Sequence, residues 1–108
     1  MKIIKIEKSN RLTKRFKAIF DDGKEINFGQ EFSNGSHPIT YIDGTSKEKR
    51  DAYIKRHVAN KIEYELITNL IPSPSLLSMY ILWYSPDINY NIEYLNSLWI
   101  KKYSNNNK

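Results

Sequence analysis

The feature that most constrains the fold is a change in the spacing of apolar residues after Phe28. Before it, apolar and polar side chains alternate over residues 2–8, 14–20 and 25–28, which is typical of half-buried strands. Asp21-Asp22-Gly23-Lys24 predicts a tight hairpin between the last two segments, because Gly tolerates positive φ. The pattern predicts a three-stranded antiparallel meander. Its predicted apolar face consists of Ile4, Ile6, Phe16, Ala18, Phe20, Ile26 and Phe28.

Residues 29–45 form an irregular section, since three of the four glycines fall within it. Tyr41 and Ile42 either add a short strand or anchor this loop on the core. After residue 45 the apolar residues follow helical spacing.

The first helix has a clear start signal. Thr45-Ser46-Lys47-Glu48 has the spacing of a capping box and predicts a helix from Ser46 to about Val58. Asn60 ends that helix and caps a second one over 61–70; a single bent helix is the alternative. In both cases one apolar stripe is expected, formed by Ile54, Val58, Ile62 and Leu66.

Ser73 followed by Pro74 is a well-matched helix start and predicts a third helix over 74–84. This segment is apolar nearly all round, which favours deep burial over the alternative of an exposed oligomer surface. A last helix, roughly 88–102, is expected to bury Ile88, Ile92, Leu95 and Trp99.

These elements predict an α+β protein. An N-terminal three-stranded antiparallel meander is followed by three to four helices packed on its apolar face. A chain of 108 residues suffices for a single domain. Its predicted parts are the β-meander (1–28), a loop (29–45), a helical part (46–103) and a polar tail (104–108).

The net charge of +5 lies entirely in the first half of the chain. Residues 1–58 carry 13 Lys and Arg against 8 Asp and Glu, whereas residues 59–108 carry 4 of each. Such an excess is typical of contact with nucleic acid or an acidic protein surface, and equally of a solvated face. The N-terminus has no signal-peptide core and no apolar run is long enough to cross a bilayer, so no membrane partner is expected.

Residues that could carry catalysis are scarce. His37 and His57 have no paired ligand spacing, and no cysteine is present. Asp21-Asp22 beside Gly23 is better explained as a turn than as a pair of catalytic carboxylates. No phosphate-binding loop or serine elbow occurs. We therefore expect a non-enzymatic protein without a metal or cofactor.

The helix predicted from Ser46 places Arg50, Tyr53 and His57 on one face, at the border of the apolar stripe. Basic groups at such a border need a carboxylate partner or an anionic ligand. One interpretation is structural: Arg50 pairs with an acid, Tyr53 packs, and His57 caps a backbone carbonyl. The other is a binding surface for phosphate or an acidic peptide, extended by the sheet. That predicted surface comprises Lys49, Arg50, Tyr53, Arg56 and His57, with Arg15 and Lys17 from the sheet's polar face.

Several segments together resemble a family of small uncharacterised proteins of giant nucleocytoplasmic large DNA viruses. They are Phe16–Phe28, Thr40–Asp43, Lys49-Arg50-x-x-Tyr53-x-x-Arg56-His57, Asn69–Pro74, Leu82-Trp83 and Asn91–Asn96 with Trp99. The resemblance covers most of the chain, although the loop Gly29–Ser36 is longer here. It implies a viral setting and supplies no catalytic residue, because the family is a domain of unknown function.

Two functions are therefore expected. The first is a structural or interaction protein of a large DNA virus, in the virion or in the cytoplasmic viral factory of the infected cell, which docks an acidic protein surface through the basic helix. The alternative is a nucleic-acid-binding accessory protein that uses the same surface. The sequence leaves the oligomeric state open.

Overall fold

The computed structural model describes residues 1–106, and the side chains of residues 1–103. It confirms the α+β class, with an N-terminal three-stranded antiparallel sheet followed by four helices. The strands are β1 (Ile3–Lys8), β2 (Lys14–Phe20) and β3 (Glu25–Gln30), and a 3-10 turn spans Tyr41–Asp43. The helices are α1 (Lys47–Val58), α2 (Lys61–Thr68), α3 (Pro74–Leu77), which continues as a π-helical segment (Ser78–Leu82), and α4 (Ile88–Asn106).

The predicted starts of the helices are confirmed, although the N-cap of α1 is Ser46 and not Thr45 of the expected capping box. The Ser46 hydroxyl accepts from the backbone N–H of Lys49 at 3.2 Å, and Ser73 caps α3 with Pro74 in its first turn. The last helix is longer than predicted, because α4 continues to Asn106. It includes the first residues of the predicted polar tail, and residues 107–108 lie outside the described part.

The sheet has the order β1-β2-β3, and its predicted apolar face is wrong at one position. Ile3 pairs with Phe20 but Lys5 pairs with Ile19, so β1 contains one extra residue, Ile4, at a β-bulge. The bulge reverses the alternation: Ile3 is 2% exposed and joins the core, whereas Ile4 is 59% exposed. Alternation alone could not locate this shift, because Ile3 and Ile4 are equally apolar.

The core lies between the inner face of the sheet and the segment from α3 to α4. Trp99 of α4 packs against Phe20 of β2, with ring centroids 5.7 Å apart. The apolar segment of α3 and the π-helical segment is buried in this core, which excludes the alternative of an exposed surface. Its buried members are Leu76, Leu77, Met79, Ile81, Leu82 and Trp83.

Asn60 separates α1 from α2, so the alternative of one bent helix is wrong. Its side-chain oxygen accepts from the backbone N–H groups of Ile62 and Glu63, at 3.0 and 3.1 Å, and starts a new helix. Because the chain changes direction there, residues at four-residue spacing on the two sides of Asn60 do not lie on one continuous helix face. The predicted stripe fails as a result, since Val58 and Ile62 are exposed.

The irregular section is tied to the fold at Tyr41–Asp43. Tyr41 and Ile42 pack against the core from a 3-10 turn, so they anchor the loop and do not form a strand. Thr40 and Asp43 form a capping box around this turn.

The helix predicted over 74–84 ends earlier and less regularly than expected. Its last carbonyls have no helical partners, as at every helix end. Buried Asn91 of α4 supplies two donors: its Nδ2 bonds the carbonyls of Ile81 and Ser85 at 2.9 and 3.0 Å. Among the described helices, none is both long and apolar enough to span a bilayer.

Candidate functional site

A cleft of about 560 Å³ lies between the sheet and the helices. Its volume falls within the range of small-ligand sites, roughly 300–1,000 Å³. Gly29 permits the close approach that forms one end of the cleft. Its φ is +79°, and a Cβ there would lie 3.2 Å from Cβ of Arg15 and 3.3 Å from Cδ1 of Leu82. The lining residues on the helical side include Tyr53, His57, Glu63, Ser75, Leu82 and Trp83.

Arg50 fastens α1 to the end of the π-helical segment. Its Nε donates to the carbonyl of Trp83 and its Nη2 to that of Tyr84, both at 3.0 Å, and Nη1 lies 3.2 Å from the carboxylate of Asp51. The guanidinium also lies 5.7 Å from the ring centroid of Tyr41. Arg50 therefore caps a helix C-terminus, where cations are favourable, and its donors are engaged within the chain.

His57 pairs with an acid instead of capping a carbonyl. Its Nδ1 donates to the two carboxylate oxygens of Glu63 at 2.9 and 3.0 Å, across the corner between α1 and α2. The hydroxyl of Ser75 donates to the same carboxylate at 3.1 Å. The acid thus lies between the histidine and the serine. In a Ser-His-acid relay the histidine is in the middle, so this cluster does not form one.

Tyr53 is enclosed by two rings. The ring of Trp83 stacks on it at 4.2 Å and 9°, and that of His57 lies 4.1 Å away at 35°. Rings at these distances cannot share one face of the phenol, so both faces of Tyr53 are covered. Burial raises the pKa of Tyr53 to about 12. No open aromatic face remains on Tyr53 for a nucleic-acid base.

Arg15 forms a two-pronged ion pair with Asp43. Nη1 and Nη2 each lie 2.7 Å from a different carboxylate oxygen, and the two side chains are only 12% and 17% exposed. Burial acts to raise the pKa of Asp43, but hydrogen bonds from Arg15 and from the backbone and hydroxyl of Thr40 outweigh it. The pKa of Asp43 therefore lies well below its usual range. Arg15 ties the sheet to the loop before α1.

Lys17 is held in a charge network on the polar face of the sheet. Its Nζ lies 3.2 Å from Glu7 and 3.6 Å from Glu25, and Lys5 lies 3.1 Å from Glu7. The hydrogen bond with Glu7 raises the pKa of Lys17. Both cations predicted to extend the binding surface across the sheet are thus paired, Lys17 with carboxylates of the sheet and Arg15 with Asp43 of the 3-10 turn.

Lys49 and Arg56 differ from the other predicted cations. Both are exposed, and neither has an ion-pair partner within the described part of the chain. They lie four residues before and three after Tyr53, so both adjoin it on the surface of α1. The guanidinium of Arg56 is 6.0 Å from the centroid of the Tyr53 ring. Together they form a cationic edge of α1 beside the cleft.

Several residues that line the cleft were not among the predicted site residues, including four with polar or aromatic side chains: Lys14, Glu63, Ser75 and Trp83. Glu63 had a signal, because it follows Asn60 at capping-box spacing; its carboxylate is directed to His57 instead. Lys14 precedes Arg15 at the start of β2, and the alternation of the strand does not distinguish it from the other polar residues of β2. Ser75 and Trp83 carried no local signal, since only the turn of the chain at Pro72–Pro74 brings them to α1.

Among the described residues, no cluster of three or more His, Asp or Glu is suited to holding a metal ion. Neither the comparison with curated proteins nor that with solved structures finds a match. The profile of DUF5754, a family of unknown function, matches residues 4–57, which is half of the 108-residue chain. The match includes β1 from Ile4 onward, β2, β3, the irregular section and α1 as far as His57. On this match the chain belongs to DUF5754, a family of unknown function.

Proposed function

We propose that this chain is a non-enzymatic interaction protein that docks an acidic protein partner through the cationic edge of α1, Lys49 and Arg56. The observation that carries the proposal is the contrast among the cations near α1. Arg15 and Arg50 are committed to internal partners, whereas Lys49 and Arg56 are exposed and have no ion-pair partner among the described residues. Exposed cations cost little to the fold and strengthen encounter with an acidic surface.

Binding of nucleic acid is the weaker alternative. A base needs an open aromatic face, and both faces of Tyr53 are covered by His57 and Trp83. Arg50, which has the fork geometry for phosphate, already donates to two carbonyls. The cationic edge of α1 therefore offers positive charge to a phosphate but no open aromatic ring on which a base could stack.

The non-enzymatic part of the proposal is supported by the order of the polar groups in the cleft. Ser75 donates to the carboxylate of Glu63, and that carboxylate also holds Nδ1 of His57. His57 is therefore held by Glu63 and not placed beside Ser75, so these three residues do not have the order of a Ser-His-acid relay.

The viral part of the proposal is supported by the resemblance to proteins of giant DNA viruses. We propose that the chain acts in the virion or in the cytoplasmic viral factory of an infected cell. Quantitative mass spectrometry of purified particles tests the virion placement. Enrichment in particles relative to infected-cell lysate is the expected result, and absence from them contradicts it.

The docking surface is tested with a fluorescein-labelled poly-Glu peptide and the Lys49→Glu/Arg56→Glu variant. We expect the double reversal to weaken binding by at least about tenfold, because it replaces attraction with repulsion. Lys2→Glu/Lys24→Glu is the matched control, since it changes the net charge equally and both lysines are exposed with no ion-pair partner among the described residues. Equal binding by the double variant and the control contradicts the proposal.

Labelled single-stranded and duplex DNA and RNA are titrated in parallel. Phosphate binding falls steeply between about 50 and about 200 mM salt, because each neutralised phosphate releases a counterion. We expect no retention of nucleic acid at the higher salt. Tight, steeply salt-dependent binding of DNA or RNA that requires Lys49 and Arg56 would establish the alternative.

A further inference from the structure

We infer that the acidic partner binds as an extended segment across the cleft, with an apolar side chain in the cleft and acidic residues on both sides of it. This inference rests on the proposed docking function and names the pattern of the segment that is bound. It follows from the arrangement of charge and apolar surface around the cleft.

The cleft has cations on two opposite sides. On the sheet side, Lys14 at the start of β2 lines it, and no ion-pair partner of Lys14 occurs in the described part of the chain. On the helix side, Arg56 and Lys49 flank Tyr53, which also lines the cleft. A chain that crosses from β2 to α1 therefore meets positive charge at both ends of its path, where Glu or Asp side chains are favoured.

One part of the cleft lining disfavours an acid. Glu63 lines the cleft, and its carboxylate already accepts from His57 and Ser75. A second carboxylate beside it would be repelled at short range. The part of the bound segment that passes Glu63 should therefore be uncharged, which separates this pattern from a uniformly acidic chain.

Most residues that line the cleft are polar, but four apolar side chains form one part of the lining, which we call its floor. Leu82 and Trp83, which are 3% and 8% exposed, form it together with Pro38 and Pro74. Trp83 is fixed by the stacked ring of Tyr53 and by Arg50 at its own carbonyl. An apolar floor within such a polar lining offers one place where the side chain of a bound segment can be anchored. Leu is a suitable anchor, because it needs no hydrogen-bond partner there.

Three synthetic peptides test this pattern by fluorescence anisotropy. The first has Glu residues on both sides of a central Leu pair. The second has the same composition with both Leu residues at one end, and the third has Ser in place of Leu. We expect the first peptide to bind about tenfold more tightly than either of the others, because it alone matches both cationic sides and the floor.

Charge reversals locate the segment on the protein. Lys14→Glu should weaken binding of the first peptide about tenfold, as should Arg56→Glu, because each replaces a cation on one side of the cleft with an acid. Lys24→Glu lies at the opposite end of β2 and β3, and its affinity for the first peptide should stay within about twofold of that of the wild type. Circular dichroism melts establish that each variant is folded under the conditions of the titration.

Two outcomes overturn the inference and remain distinguishable from a failure of the docking function. If Lys14→Glu binds normally while Lys49→Glu/Arg56→Glu does not, the partner contacts α1 alone and does not cross the cleft. If the position of the Leu pair has no effect, the contact is purely electrostatic. If none of the charge-reversal variants binds the peptide more weakly than the wild type, the docking function itself is contradicted.

Discussion

Arg50 and Arg56 belong to the same helix, yet their guanidinium groups are used differently. The guanidinium of Arg50 reaches the end of the π-helical segment, where the last carbonyls have no helical partners. It donates to the carbonyls of Trp83 and Tyr84. Arg56 lies beside the ring of Tyr53, is exposed, and has no ion-pair partner among the described residues. The difference shows that the supply of unsatisfied acceptors, and not the type of residue, decides which cations stabilise the fold.

The largest expected effect is that of Arg50→Met, which keeps most of the aliphatic stem and removes the donors. It should lower the free energy of unfolding by about 2–4 kcal/mol, because the partly buried carbonyls of Trp83 and Tyr84 lose charged donors. Urea denaturation followed by tryptophan fluorescence measures this change. Arg56→Met is the matched control, and an equal loss in both variants would remove the distinction between the two arginines.

The second effect concerns Arg15 and Asp43, the ion pair that joins β2 to the 3-10 turn. Asp43→Asn should cost about 1–3 kcal/mol at neutral pH, because it weakens charge-assisted hydrogen bonds from Arg15 and Thr40.

The pH dependence of this pair has a definite sign. The pKa of Asp43 is lower in the folded chain than in the unfolded chain, so its contribution is fully present above the ordinary Asp pKa of about 3.9. It is lost as the pH falls below that value toward the folded pKa. Denaturation of the wild type and of Asp43→Asn between about pH 6 and about pH 3 should show the two stabilities converging. A constant difference across this range would mean that the carboxylate is not stabilised by Arg15.

The smallest expected effect is that of Lys49→Ala and Arg56→Ala on stability. Each should change the free energy of unfolding by less than about 0.5 kcal/mol, as is usual for exposed side chains without partners. Thermal and urea denaturation measure it. If either variant lowers the free energy of unfolding by more than about 1 kcal/mol, the replaced side chain has an internal partner and does not differ from Arg50 in this respect.

Elements with local signals were predictable from the sequence. The strands follow from the alternation of apolar and polar residues. The turn at Gly23 requires a positive φ, which glycine tolerates, and the starts of three helices are marked by the N-cap residues Ser46, Asn60 and Ser73. In each case the residues that determine the structure are neighbours in the chain. The α+β class follows from these elements together.

Features that depend on distant contacts were not predictable. The bulge at Ile4 and the π-helical segment Ser78–Leu82 are such features, and each adjoins long-range packing: Ile3 joins the core, and Trp83 stacks on Tyr53. Alternation and helical spacing do not contain this information. The sequence placed Arg50 and His57 on one face of α1 but not their partners, because Trp83 and Glu63 reach α1 only in the folded chain.

The most direct test of the central claim is the affinity of Arg50→Met for the poly-Glu peptide, measured beside that of Lys49→Met/Arg56→Met. Both titrations are made where circular dichroism shows the variants to be folded. We predict that Arg50→Met binds within about twofold of the wild type and that the double variant binds at least about tenfold more weakly. Loss of binding in folded Arg50→Met, with normal binding by the double variant, would contradict the assignment of the outer edge of α1 to the partner.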